Sequence, residues 1–256
     1  MFLPNFFRLN MKRKFLIPAF AAAVIVGSVI GYFVDHRPSP PVVYEQRVDT
    51  VMTEDLTLFY PKYGRIDFVT SSMPPSMTDT NIIMAFAGAY FGDYLDTFAH
   101  SNTAGDHVSG GVRYCGYRCK NNTGAFVYYN GRFRFLYKNY TADLDSAAKY
   151  GGCGFGQELL IKDGQRLPTV RKDDNNHKFR ALCLMNDSSL CVVQSVSSVE
   201  LGHFKDMLLS AGAIDALYLD MGTSDYMWYR DSIGVVHEFA GPPHRYYTNW
   251  VTFYKR

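Results

Sequence analysis

The chain lacks most of the local signatures that announce a chemistry. Its 256 residues contain no Gly-x-Ser-x-Gly elbow, no P-loop, no His-Glu-x-x-His and no dinucleotide fingerprint, so a nucleotide cofactor is not indicated. There is no internal repeat and no charge block longer than a few residues. The net charge is only +2, which excludes a strongly basic nucleic-acid binder and leaves nucleic acid out as a partner. Cysteine is sparse. The five (Cys115, Cys119, Cys153, Cys183 and Cys191) leave at least one thiol unpaired within the chain, and no second close Cys or His pair accompanies Cys115 and Cys119 as zinc ligands. Cys115-x3-Cys119 is the favoured disulfide pair.

What is present is ordinary globular material, 47% hydrophobic and 20% charged, which rules out disorder, collagen and low complexity. Aromatic residues make up 16%, enough for a large core with amphipathic rings to spare for a polar groove such as a sugar site.

The N-terminus carries the clearest local signal. Residues 15–34, FLIPAFAAAVIVGSVIGYFV, hold no charge and match the ~20 residues that cross a bilayer as a helix. Arg8, Lys12, Arg13 and Lys14 precede them, so residues 1–14 are expected on the cytoplasmic side and everything after Asp35 on the periplasmic or extracellular side. Met11 is an alternative start. The Ala-x-Ala-like stretch Ala21 to Ala23 lies deep in the apolar run, which favours a retained anchor over a cleaved leader. No cysteine closely follows the run, which argues against a lipoprotein. Residues 35–43 include HRPSPPVV, a Pro-rich extended linker, and one domain is expected over 44–256.

Short runs rich in β-branched and aromatic residues predict strands at 56–60, 65–69, 82–86, 125–129, 132–137, 159–161, 180–185 and 190–194. Asn130-Gly131 predicts a type I′ hairpin, and Asn186-Asp187-Ser188-Ser189 a second. Helices are expected at 142–150, capped by Thr141, and at 201–211, stopped by Gly212. The fold class is therefore α+β, a mixed, largely antiparallel sheet with a few packed helices. A buried strand at 216–219 ends in Asp220, read either as a solvated aspartate in a strand-end turn or as a functional acid, whose following loop of small residues would let a substrate or an ion approach the backbone.

The order of these pieces over residues 64–256 resembles the phosphodiester glycosidase family. Arg180-Ala-Leu-Cys183, the strand Leu190-Cys-Val-Val, the helix from His203 to Ala211 and Gly212-Ala-Ile-Asp-Ala-Leu-Tyr-Leu-Asp220 are similar to its Arg-Thr-Ala-x-Gly strand, hairpin partner, helix and Leu-Asp-Gly-Gly-Gly-Ser loop. Arg245-Tyr-Tyr-Thr-Asn249 resembles its closing Arg-x-Val-x-Asn, and the stretch from Phe86 to Phe91 stands at its Asn-Gly-Gly-Phe-Phe. Gln157 to Gly164 resembles the strand and turn before the family arginine. Asp220, Gly222, Ser224, Arg245 and Asn249 match directly. The chain departs at Ala87 for asparagine, and at Met221, Thr223 and Cys183 for glycines. An ungapped match sets Phe179 at the family arginine, so a role for Arg180 implies a local bulge or slip.

The resemblance implies hydrolysis of the bond between an anomeric carbon and a phosphodiester. Asp220 would be the general acid/base, and Arg180, or failing it Arg245, the phosphate clamp. Gly222 and Ser224 would offer backbone and hydroxyl donors, with Asn249 beside them. His107, in the polar stretch Gly105-Asp106-His107, is read as a substrate lip or a plain connection, and Trp228 as the floor of a sugar subsite or core. Glu158 is read as a second carboxylate or a solvated strand start. His237 and His244 are read as surface or packing residues. No nucleotide cofactor is indicated, and the need for a divalent cation is left open, since the loop is compatible with one and Asp220 alone supplies too few ligands. The partners implied are a carbohydrate or sugar phosphodiester and, through the N-terminal helix, a membrane. Because of the altered loop residues, a glycan-binding module without turnover is the alternative, and a purely structural envelope protein a third.

Overall fold

The computed structural model describes residues 47–92, 99–170, 175–221, 226–239 and 249–255. The apolar segment 15–34, Gly222, Ser224, His244 and Arg245 lie outside them. The chain divides into Met1–Tyr44 and Glu45–Arg256, and the described residues all belong to the second unit. Among the described residues no helix is long and apolar enough to cross a membrane.

Among the described residues, seventeen strands and two α-helices follow one another. The first strands are β1 (Val48–Met52), β2 (Leu56–Pro61), β3 (Arg65–Thr70) and β4 (Ile82–Ala87). A 3₁₀ turn at His100–Asn102 leads to β5 (His107–Ser109), β6 (Val112–Tyr114), β7 (Gly124–Tyr129) and β8 (Arg132–Tyr137). Helix α1 (Thr141–Lys149) precedes β9 (Cys153–Gln157), β10 (Leu159–Lys162), β11 (Gln165–Arg166), β12 (Arg180–Met185) and β13 (Leu190–Ser195). Helix α2 (Leu201–Ser210) leads to β14 (Ala213–Leu219), β15 (Met227–Arg230), β16 (Val236–Phe239) and β17 (Asn249–Tyr254).

The strands form three sheets in the orders β1-β2-β13-β12-β14-β10-β11, β16-β15-β4-β17-β3 and β6-β5-β9-β7-β8. Every pairing between these strands is antiparallel, and with two helices this is the expected α+β class.

The Asn130-Gly131 turn behaves as its chemistry requires, with φ of 51° and 71°, and sets the β7–β8 register. Thr141 is the first residue of α1 rather than its cap, because Tyr140 occupies the N-cap and no side chain bonds there. Gly212 ends the turn after α2 at a φ of 92°, a region that penalises any Cβ.

The alternation of the strands sorts the core. Phe68, Phe86, Leu182, Val192, Leu217, Leu219, Val251 and Phe253 share the largest buried cluster, to which all three sheets contribute. On the other face of the seven-stranded sheet, Phe179, Ala181, Cys183 and Tyr218 meet Leu201, Phe204, Met207 and Leu208 of α2. Each such aliphatic or aromatic side chain stabilises the fold by roughly 1.5–3 kcal/mol on burial. Leu144 and Ala147 of α1 pack on Val108 and Val127 of the third sheet.

Candidate functional site

Several strand ends meet at one edge of the first two sheets. β14 stops at Leu219, and the next residue, Asp220, turns its backbone N–H to the carbonyl of Gly88, 2.8 Å away, just past the end of β4. The neighbouring Ala89 is held by Asn249, the first residue of β17, through Ala89 N–H to Oδ1 at 2.7 Å and Nδ2 to Ala89 O at 3.0 Å. Gly88 permits this approach, because a Cβ there would lie 3.0 Å from Phe68 Cε2 and 3.1 Å from Asn249 Oδ1.

Arg180 opens β12 and pairs with Leu219 on one side and Gln194 on the other. Its Nε and Nη2 donate to Gln194 Oε1 at 3.0 and 2.8 Å, and Nη1 reaches the carbonyl of Tyr226 at 3.5 Å. The Tyr226 carbonyl also accepts from Ala87 N–H at 3.2 Å, so the arginine braces the first sheet against the end of β4 in the second.

The structure therefore brings together the neighbourhoods of Arg180, Asp220 and Asn249, which lie far apart in sequence. Their accessibilities differ. Arg180 and Asn249 are 1% and 3% exposed, whereas Asp220 is half-buried. A carboxylate that solvent reaches can exchange a proton with a bound group. A guanidinium committed to a glutamine and a carbonyl works from behind. No bulge accompanies Arg180, since its register with Gln194 and Leu219 is unbroken and the shift on β12 falls at Leu184/Met185. Phe179 instead points into the α2-side core with Phe204 and Tyr218.

His107 is not on a loop. It begins β5, is fully buried, and packs against Phe68 with ring centroids 5.7 Å apart. Its Nδ1 lies 3.2 Å from the Gly105 carbonyl, while its buried Nε2 has no hydrogen-bond partner among the described residues. Burial pushes its pKa down to about 4, which keeps the imidazole neutral. Neighbouring His100 stacks on Tyr114, and its Nδ1 is 2.8 Å from Thr70 Oγ1, which in turn bonds Ser109 Oγ. Thr70 is the strand partner of Asn249, so this polar cluster flanks the same edge. Thr70, His100, Ser109, Gln194 and Tyr226 carried no motif in the sequence. Only Gln194 was open to deduction, by counting the hairpin.

Trp228 does not floor a subsite. It is fully buried with Trp250 and Ile82, and its indole N–H donates to Pro75 O at 3.1 Å. Glu158 is not a solvated strand start either: it is fully buried and its Oε1 accepts from Val170 N–H at 3.1 Å. His237 stacks on Tyr229 and contacts Asp231 at 2.8 Å, a packing role as expected. All five cysteines are free, Cys115 and Cys119 included. Among the described residues no three His, Cys, Asp or Glu side chains cluster as a metal site.

No family model matches the sequence, and no curated protein matches it. Solved structures do. The fold is shared with the catalytic domain of a glycosidase, with a TM-score of 0.55 at 12% identity over 82% of each chain. That structure is the zebrafish N-acetylglucosamine-1-phosphodiester alpha-N-acetylglucosaminidase catalytic domain, auto-inhibited by its pro-peptide. A hypothetical protein from Synechocystis matches 81% of this chain and 61% of its own, with 13% identity and a TM-score of 0.48. At 12% identity the likeness to the glycosidase domain is one of fold.

Proposed function

We propose that the chain is an exported hydrolase that cleaves the glycosidic bond of a sugar-1-phosphodiester in a glycan or cell-envelope polymer. One observation carries the reading. In a fold like that of a phosphodiester glycosidase, the half-buried Asp220 stands at the meeting of β14, β4 and β17, tied to Gly88 and next to the Asn249 clamp.

Asp220 is assigned as the general acid/base that exchanges a proton with the leaving oxygen or the attacking water. Arg180 is assigned a positioning role, holding β12, β13 and the Tyr226 backbone in place. The phosphate charge is then assigned to Arg245, and Gly222 and Ser224 are assigned as backbone and hydroxyl donors. The N-terminal apolar segment anchors the domain on the outer side of a membrane.

The test is sugar release from a panel of sugar-1-phosphodiesters, N-acetylglucosamine-1-phosphodiesters first, by the purified full chain in detergent with and without chelator. The Asp220→Asn variant loses at least about 100-fold in rate while retaining its fold. An unchanged rate in that variant removes Asp220 from the chemistry.

Met221 favours the second reading, a glycan-binding module on the same fold. Where the family loop has glycine, its side chain is 2% exposed and occupies interior space. That reading requires glycan affinity without product.

A further inference from the structure

A pocket of about 410 Å³ opens at the opposite end of β3 from Asn249. Thr70 at one end of this strand pairs with Asn249, and Arg65 at the other pairs with Tyr254. Five residues at about 3.3 Å each separate the two ends by roughly 16 Å. The lining reaches along β3 as far as Asp67, three residues short of Thr70, and shares no residue with the Asp220 edge.

Three left-handed turns shape its mouth. Gly110, Gly131 and Gly151 have φ of 58°, 71° and 64°, and a Cβ at any of them would meet nothing within 4 Å. Gly111, beside Gly110, packs so tightly on Gly151 that its Cβ would lie 3.2 Å from the Gly151 Cα. Backbone amides and carbonyls thus border open space, without side chains to screen them. The rings of Tyr129 and Tyr150, stacked with centroids 5.9 Å apart, contribute to one wall. The Tyr128 hydroxyl donates to Gly64 O at 3.2 Å, which fixes a third ring in the lining.

Among the described lining residues only Arg65 and Asp67 are charged types, of opposite sign. The guanidinium of Arg65 is held 4.2 Å over the Tyr254 ring. Asp67 is half-buried, and its carboxylate accepts the Phe68 N–H at 2.9 Å and a backbone bond from Gly110. Two fixed acceptor oxygens, a five-donor fork, tyrosine rings and bare turn backbone suit a ligand that is neutral and rich in hydroxyls, each of which donates and accepts.

We propose that this pocket is a saccharide-binding site, separate from the catalytic edge and sized for a mono- or disaccharide. Asp67 accepts from adjacent hydroxyls, Arg65 donates to a third, and the tyrosine wall covers the C–H face of the sugar. A site of this kind retains a glycan chain without taking part in its cleavage. The inference stands independently of the hydrolase reading.

The experiment is saturation-transfer NMR and titration of the full chain in detergent with N-acetylglucosamine, chitobiose, cellobiose and maltose, with glycylglycine as a zwitterionic probe. The expected result is saturable binding of at least one saccharide. It weakens at least about tenfold in Tyr150→Ala and in Asp67→Asn. Tyr150 is 52% exposed, so its variant keeps the fold and decides the matter even where Asp67→Asn does not express. Binding of no saccharide, binding indifferent to Tyr150→Ala, or preference for glycylglycine would each overturn the proposal.

Discussion

Asn249 treats Ala89 as a strand partner, using its side chain in place of a backbone: the carboxamide oxygen accepts the Ala89 N–H and the amide nitrogen donates to the Ala89 carbonyl. Both groups are buried, so the clamp satisfies the chain where β4 has ended and pairing to β17 has stopped. Asn249→Ala strips both bonds and destabilises by about 2–4 kcal/mol. Asn249→Asp keeps the acceptor but turns a second oxygen on the Ala89 carbonyl, so it does not rescue. Urea midpoints of the three proteins check this, and an Asp variant as stable as wild type contradicts the clamp.

Strands β2, β3, β4, β7, β8, β10, β12, β13 and β14 and both helices were legible because their signals are local. The Asn186 to Ser189 turn even contains the Arg180–Gln194 pair, each seven residues from Asp187 in an unbroken antiparallel ladder. What stayed hidden depends on packing between distant segments. β9, with its sequence CGFGQ, has little strand propensity, yet Gly154 and Gly156 are small because α1 and the tyrosine that precedes it press against them. A Cβ at Gly154 would lie 2.9 Å from Leu144 Cδ2, and one at Gly156 would lie 2.6 Å from Tyr140 Oη. His107 read as part of a Gly-rich connection for the same reason. Its strand pairs with β6 on one side and with this glycine strand on the other. Asp220 is a candidate by sequence, where an apolar strand meets small residues; Thr70 and His100 are not, because their contacts arise only when β3 lies beside β5.

Acid should loosen the molecule through His107. Its folded pKa of about 4 lies below the usual histidine value of 6.5, because burial penalises the charged ring and His100 adds to the effect, while the Gly105 carbonyl and Asp106 oppose it. Above about pH 6.5 both folded and unfolded chains hold a neutral ring and stability is undiminished. Between there and about pH 4 the unfolded chain takes up a proton that the folded one refuses, and up to about 3 kcal/mol is lost. His100, also shifted down by burial, adds to the slope in the same direction. His107→Phe should flatten the loss between pH 7 and 4.5, measured by urea denaturation at fixed ionic strength. An identical pH slope in the variant would place the titration elsewhere.

Thiol reactivity should divide the cysteines two and three. Cys115 is exposed and Cys119 half-buried, whereas Cys153, Cys183 and Cys191 are buried. Desolvation pushes the Cys191 thiol up to about 12 and raises Cys153 and Cys183 as well, so the thiolate that would react is scarce. Iodoacetamide on the reduced native protein is expected to modify Cys115 and Cys119 first and the other three only in denaturant, as peptide mass spectrometry would show. Early modification of Cys183 or Cys191, which face one another across β12 and β13, would mean that this ladder opens readily.

Gly88 links stability to the site more directly than any other position. An added methyl would press on Phe68 Cε2, Asn249 Oδ1 and Val251 Cγ2 at 3.0, 3.1 and 3.1 Å, and Asn249 cannot yield without releasing Ala89. Overpacking of this kind costs about 1–3 kcal/mol. The Gly88 carbonyl also receives the Asp220 N–H, so strain there displaces the carboxylate as well. Gly88→Ala is therefore expected to lower both the unfolding midpoint and sugar release, whereas Gly131→Ala, at a turn with open space around it, should lower the midpoint alone. Denaturation and turnover measured on the same two preparations separate the cases. Full activity in Gly88→Ala would show that the position of Asp220 does not depend on this contact.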